Sequence, residues 1–149
     1  MRSSHRYSQA LLVLTVMLGI AGLVPTQVQA ARGRPIITGT KKTFAADNGN
    51  LLRGPRLSTE VGTLPARSTL QAIKNYGCNA IHCYAERADY GYPAGSKAST
   101  LDTLVQWTRD DGLYLVITIG NGGINDSFMS DFWNFYAGRY ANETHVIYE

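Results

Sequence analysis

The sequence is short of several things, and each shortage excludes a class of protein. It has two cysteines in 149 residues, too few to staple a small disulfide scaffold. Only 17% of residues are charged and 44% are hydrophobic. That is ordinary globular chemistry, which excludes disordered, collagenous and coiled-coil classes. The basic surplus is small, with 14 Lys and Arg against 11 Asp and Glu. Setting aside Arg2 and Arg6, which lie in a leader, leaves 12 against 11. Nucleic-acid binders show a basic patch or a strong surplus, so no nucleic-acid partner is expected.

A long apolar run is also missing. The longest, Ala10 to Val24, is about 15 residues, where a membrane span needs about 20. Its surroundings explain it differently. Arg2, His5 and Arg6 precede it, Pro25 breaks it, and Val28-Gln29-Ala30 puts small residues at a cleavage position. This is the layout of a secretory signal peptide over residues 1–30. The mature domain then covers residues 31–149 and is secreted or periplasmic, with no membrane association after cleavage. No cysteine follows the cleavage point, so a lipid anchor there is not expected.

The mature chain repeats strand and helix. Ile36 to Phe44 is extended, and Asp47-Asn48-Gly49-Asn50 supplies an Asn-Gly turn into Leu51. Such a pair accepts positive φ and favours a hairpin. Ser68 and Gln71 form a capping box for a first helix, which Gly77 ends. Cys78 to Tyr84 is a strand. Ser99 and Asp102 offer a second capping box, and Gly112 ends the second helix. Leu113 to Ile119 is a continuous apolar run, typical of a parallel strand buried on both faces. Asn125 or Asp126 caps a third helix reaching about Ala141, and His145 to Tyr148 starts another strand. Strand starts near Leu51, Cys78, Leu113 and His145 lie about 27, 35 and 32 residues apart, close to the ~30 of a βαβ unit. The reading is α/β with at least four parallel strands. Periodicity leaves an open doubly wound sheet and a barrel both standing.

Candidate sites are few. Cys78 and Cys83 fall on opposite faces of one strand about 16 Å apart, beyond disulfide reach. With His82 they fit no zinc spacing, so they read as structural thiols and no metal is expected. Phe128, Phe132, Tyr136 and Tyr140 form one helical stripe, read as the face packed on the sheet. Gly120-Asn121-Gly122-Gly123-Ile124-Asn125 sits where a dinucleotide fingerprint would, but Asn125 replaces its third glycine and no acidic partner follows at the right distance. No cofactor is expected. His82, Tyr84 and Glu86 end the second main strand and, at a period of two, share one face. Polar side chains there sit where α/β folds bind ligands. Asn125-Asp126-Ser127 and Asn142-Glu143-Thr144 match the glycosylation acceptor pattern.

Taken in order, these pieces resemble the N-terminal half of glycoside hydrolase family 5, the cellulase family. Asp47 to Gly54 looks like its leading hairpin and first strand. Gly77-Cys78-Asn79-Ala80-Ile81-His82 looks like its second-strand motif, Gly-x-Asn-x-Ile-Arg. Leu101 to Trp107 with Gly112 to Ile117 looks like its second helix and third strand. Asp131 to Ala141 looks like its third helix, and His145 to Glu149 its fourth strand. The resemblance implies the N-terminal half of a (β/α)8 TIM barrel, about four βα units after a small hairpin, with its site at the C-terminal strand ends. It implies a retaining O-glycosyl hydrolase of polysaccharide catabolism, cleaving a β-linked glycan with two glutamates about 5 Å apart.

By the match, neither glutamate is in this chain. Glu149 corresponds to the strand glutamate just ahead of an Asn-Glu-Pro motif that carries the acid/base. No residue of this chain is therefore expected to be catalytic, and a chain of this length is expected to be an inactive fragment. His82, Tyr84, Glu86 and Asn121 are the expected contacts to a polysaccharide or oligosaccharide. Two departures, His82 in place of arginine and Gly120 where many members have histidine, leave the substrate open. A half barrel exposes sheet edges, so self-association is expected. The alternatives are a non-catalytic carbohydrate-binding protein on the same scaffold and an open-sheet nucleotide-binding domain.

Overall fold

The structure is a computed structural model, and it describes residues 31–39, 43–57, 63–87, 91, 93–120 and 125–149. The leader at residues 1–30, the Asn121 candidate and most of the glycine-rich loop around it lie outside the described residues.

The described chain begins with a hairpin, β1 (Ile36–Thr38) against β2 (Thr43–Ala45), antiparallel with Ile36 opposite Ala45. The Asn48-Gly49 turn forms as expected. Gly49 takes φ +83°, and its N–H and that of Ala46 close the turn onto Ala46 and Asn50 carbonyls at 2.9 and 2.8 Å. A single antiparallel bridge, Ala45 to Leu51, follows. The sequence reading had only this second turn. The earlier one, between β1 and β2, carries no Asn-Gly signal.

The main sheet is parallel, β3 (Ala80–Arg87), β4 (Tyr114–Gly120) and β5 (Val146–Tyr148) side by side in chain order. Arg53 to Leu57 runs along the free side of β3. Arg56 bridges His82 in parallel, His82 N–H donates to the Pro55 carbonyl at 3.1 Å, and Leu57 N–H donates to His82 at 2.8 Å. The first of the four expected parallel strands is thus reduced to one bridge. Pro55 has no N–H to offer a ladder. Gly54 passes so close to β3 that a Cβ there would sit 1.5 Å from the Ala80 carbonyl oxygen.

Helices α1 (Arg67–Asn75), α2 (Ala98–Asp111) and α3 (Asp126–Arg139) pack on one face of this sheet. Leu70, Leu101, Leu104, Val105, Phe132 and Tyr136 join Ile81, Cys83, Leu115 and Ile117 in one buried cluster. Fully burying each aliphatic or phenyl side chain stabilises the fold by about 1.5–3 kcal/mol. The aromatic stripe is core, as read. Strand order without reversal, with all three helices on one face, is the winding of a barrel wall. A doubly wound sheet reverses its order and carries helices on both faces.

The opposite face carries Ala80, His82, Tyr84, Tyr114, Val116, Thr118 and Ile147. Its N-terminal end is covered by the hairpin region, where Ala46 and Leu52 pack on Ala80, Tyr114 and Ile147. The Tyr114 hydroxyl donates to the Gly33 carbonyl at 2.9 Å and accepts from Asp47 N–H at 2.8 Å. Polar side chains are left to the other, C-terminal end of the face.

The helix starts differ from the capping boxes. Helix α1 begins at Arg67 after an extended Ala66 with no side-chain cap. Arg67 is drawn into the helix by Asp111, 3.0 Å away, and by the Trp107 ring, 5.4 Å from its guanidinium. Helix α2 begins at Ala98 behind Lys97, again with no side-chain cap of its own. The C-terminal signals hold. At Gly77, φ +79°, the N–H groups of Gly77 and Cys78 return to Lys74 and Ile73, a Schellman closure. Asn125 caps α3, its Oδ1 accepting from Phe128 N–H at 2.9 Å.

Candidate functional site

Residues from four parallel segments meet at the C-terminal end of the helix-free face. Arg56 comes from the first segment, His82 and Tyr84 from β3, Thr118 from β4, and Glu149 directly follows β5. Glu149 N–H donates to the Ile117 carbonyl at 3.0 Å, and Thr118 Oγ1 donates to the Glu149 carbonyl at 3.0 Å. These bonds fix the Glu149 backbone while its side chain stays 64% exposed. Its Oε2 lies 2.8 Å from His82 Nε2. His82 Nδ1 is buried without a hydrogen-bond partner. The Tyr84 ring stands edge-on to the imidazole at 5.5 Å. Arg56 Nη1 donates to the Tyr84 hydroxyl at 3.2 Å, and its guanidinium lies 5.5 Å from the centre of that ring.

The structure therefore brings His82 and Tyr84 together, as alternation predicts. It separates Glu86 from them. The register of β3 against β4 slips between Tyr84, opposite Thr118, and Glu86, opposite Ile119. Ala85 is the extra residue of this bulge, and a bulge re-aims the side chains beyond it. Glu86 turns to the helix side, where it is 5% exposed. Its carboxylate accepts from Gly95 N–H at 3.0 Å, from Lys97 N–H at 2.8 Å and from the Tyr136 hydroxyl. It thus supplies from β3 the cap that α2 lacks locally, placing negative charge at the positive end of the helix. The reading that put Glu86 on one face with His82 and Tyr84 is corrected by this bulge. Burial and Glu86 together push the Tyr136 hydroxyl well above the usual phenol range.

Sequence reasoning missed Arg56 and Thr118 as members of the cluster. The available signal was position alone: Thr118 lies next to the end of the predicted strand Leu113 to Ile119, and Arg56 lies two residues past the predicted first strand.

Elsewhere, Cys83 is buried and its thiol is pushed up to about 12 by that burial, which suits a packing residue. Among the described residues no group of three His, Cys, Asp or Glu could hold a metal ion, and no helix is long and apolar enough to cross a membrane. A groove of about 370 Å³ lies on the helix side, lined by residues of α2, α3 and the turn after α3. Its charges are already paired, Arg109 with Glu143 and Arg139 with Asp102. The hydrogen bond from Arg139 holds the Asp102 carboxyl below its ordinary value.

The cluster offers donors, acceptors and an aromatic ring to a polyhydroxylated ligand. Glu149 is the one carboxylate on this face among the described residues, so the two-carboxylate pair of a retaining glycosidase is not assembled by them.

No protein-family model matches this chain, and no curated protein matches it. A solved structure does: a thermostable, highly halotolerant GH5 cellulase from an Icelandic hot spring isolate, at TM-score 0.56 and 18% identity. The match covers 78% of this chain and 38% of the cellulase. The likeness is one of fold. This chain is a mixed α/β arrangement with a parallel three-stranded sheet and three helices, as in part of a TIM-barrel-like fold. It spans well under half the length of the structure it matches.

Proposed function

We propose that this chain is the N-terminal half of an exported (β/α)8 glycoside hydrolase acting on a β-linked glycan, with the leader removed after Ala30. What carries the reading is the polar cluster at the C-terminal ends of parallel segments wound in chain order, on a scaffold like that of a cellulase. His82 and Tyr84 are read as ligand contacts, joined by Arg56. His82 holds the Glu149 carboxylate by its Nε2, and the catalytic pair belongs to residues beyond Glu149. Acid catalysis and a nucleophile each contribute orders of magnitude in rate, so the chain alone is expected to hydrolyse none of a panel of β-glucans, mannans and xylans.

The reading frame beyond Glu149 in the source DNA tests the proposal. The expected result is Asn-Glu-Pro within a few codons and a second strand-ending glutamate in the following hundred or so residues, since a whole barrel takes about 250. The longer product should then cleave a β-glycan. A full-length product without either carboxylate overturns the hydrolase reading. The single carboxylate on the described face would then favour a carbohydrate-binding protein on the same scaffold.

A further inference from the structure

Arg56 brings a fixed positive charge to the helix-free face. As the parallel ladder partner of His82 it points to the same side of the sheet. Its guanidinium is exposed and yet aimed. Nη1 donates to the Tyr84 hydroxyl at 3.2 Å, and the group lies 5.5 Å from the centre of that ring. Among the described residues no carboxylate pairs with it. Strict alternation would have set the Glu86 carboxylate on this face, just beyond Tyr84. The bulge at Ala85 sends it to the other side, where it caps α2. The remaining acid of the face, Glu149, is held by His82 at 2.8 Å. On the other surfaces Arg32, Arg67, Arg109 and Arg139 each pair with an aspartate or glutamate.

We propose that Arg56 and Tyr84 form a subsite for the carboxylate of a uronic acid residue, so that the glycan taken by this face is an acidic one. The inference rests on the glycan reading and narrows its substrate class. A guanidinium offers its N–H donors in a rigid fork that matches a carboxylate bidentately. The Tyr84 oxygen accepts from Arg56, which leaves its own proton free to donate to a carboxylate oxygen. Glu149 sets the direction. Its side chain is 64% exposed and follows β5, across β4 from Tyr84, so it repels an acid at that end and accepts from neutral hydroxyls instead. The acidic substituent therefore belongs on the Arg56 side of the face, and unsubstituted sugar on the Glu149 side.

Affinity electrophoresis in native gels tests this on the product of the source reading frame, at whatever length that frame encodes. The probes are matched pairs. A soluble β-glucan and a β-mannan each run beside the same polymer with its C6 hydroxyls oxidised to carboxylates, and a neutral xylan runs beside a glucuronoxylan. On at least one backbone the acidic member should bind about tenfold tighter than the neutral one, and added salt should narrow the gap. Arg56→Gln should close the gap. Arg34→Gln, which removes the same charge from an exposed site ahead of β1, should leave it open. Tyr84→Phe keeps every charge and should narrow the gap about threefold, since one hydrogen bond to the carboxylate is lost. Urea midpoints show whether each variant is folded, and Tyr84→Phe with the salt series carries the test if Arg56→Gln is not. Acidic members that bind no tighter than neutral ones overturn the acidic subsite and leave the glycan reading standing. A gap that closes equally in Arg34→Gln is attraction of a basic chain to any polyanion and overturns it as well. Binding to no member of any pair overturns the glycan reading, and this inference with it.

Discussion

Replacing Glu86 by alanine should remove a large share of this domain's stability, although a reading of the residue as a surface ligand contact predicts little loss. The side chain is 5% exposed and is the shared acceptor for two backbone N–H groups, from Gly95 and Lys97, and for the Tyr136 hydroxyl. Alanine leaves three donors near a site closed to solvent. Each buried unsatisfied group costs about 1–3 kcal/mol, and relaxation toward water recovers part of it, so the net loss should be about 3–5 kcal/mol. Domain stabilities are only about 5–15 kcal/mol. Glu86→Gln keeps one acceptor oxygen but turns an amide NH2 toward the remaining donors, and should lose about 2–3 kcal/mol. Tyr136→Phe removes one donor together with its demand. In the Glu86→Ala background it should therefore cost less than it does alone, the non-additivity expected of groups in one network. Urea unfolding followed by Trp107 and Trp133 fluorescence, at fixed protein concentration because any association shifts the midpoint, measures the wild type and the four variants. A Glu86→Ala loss below about 1 kcal/mol, or strict additivity with Tyr136→Phe, would refute the capping role.

Three further outcomes are expected of the same domain. His145 is buried, its Nε2 3.0 Å from the Val105 carbonyl, and burial lowers its pKa, reinforced by Arg109 and opposed by the main-chain bond and Glu143. The unfolded chain therefore takes up a proton first as pH falls below about 6.5, so stability should hold above that value and decline below it, by at most about 1.4 kcal/mol per pH unit; a urea midpoint that is flat between pH 7.5 and 5.5 would contradict this. One thiol, the half-buried Cys78, should react with a disulfide reagent in the native chain, and Cys83, raised to about 12 by burial, only after denaturation; two fast thiols would place Cys83 wrongly. Gly54→Ala should cost about 1–3 kcal/mol, because its Cβ would overlap the Ala80 carbonyl at 1.5 Å, and an unchanged unfolding midpoint would show that Arg53 to Leu57 does not lie against β3.

Much of the fold was legible because the signals were local. The apolar run from Leu113 to Ile119 became β4, the Gly77 and Gly112 stops fell where only a left-handed residue ends a helix cheaply, and Asn125 capped α3. Both misplaced helix starts have one cause. A capping box is a local offer, worth about 1 kcal/mol, and it loses to tertiary partners of greater worth. Arg67 gains Asp111 and Trp107 by joining α1, and α2 is capped from β3, by a residue eleven positions before Lys97. No short-range pattern encodes a cap supplied by a neighbouring strand.

The site was legible only as far as strict alternation lasts. His82 and Tyr84 precede the bulge and share a face as the period of two requires. Glu86 follows it, and one extra residue sends every later side chain to the other side. Ala85 gives no warning of this, because alanine is neither a turn former nor a residue that demands positive φ. The deciding partners, Gly95, Lys97 and Tyr136, lie 9, 11 and 50 residues away. A carboxylate with three buried donors in reach lowers its energy by reaching them, and the strand bends to allow it. The same event leaves Glu149 as the single acid on the open face among the described residues. The chemistry left there is hydrogen bonding through His82, Tyr84, Thr118 and Arg56, groups that can donate to and accept from a hydroxylated ligand.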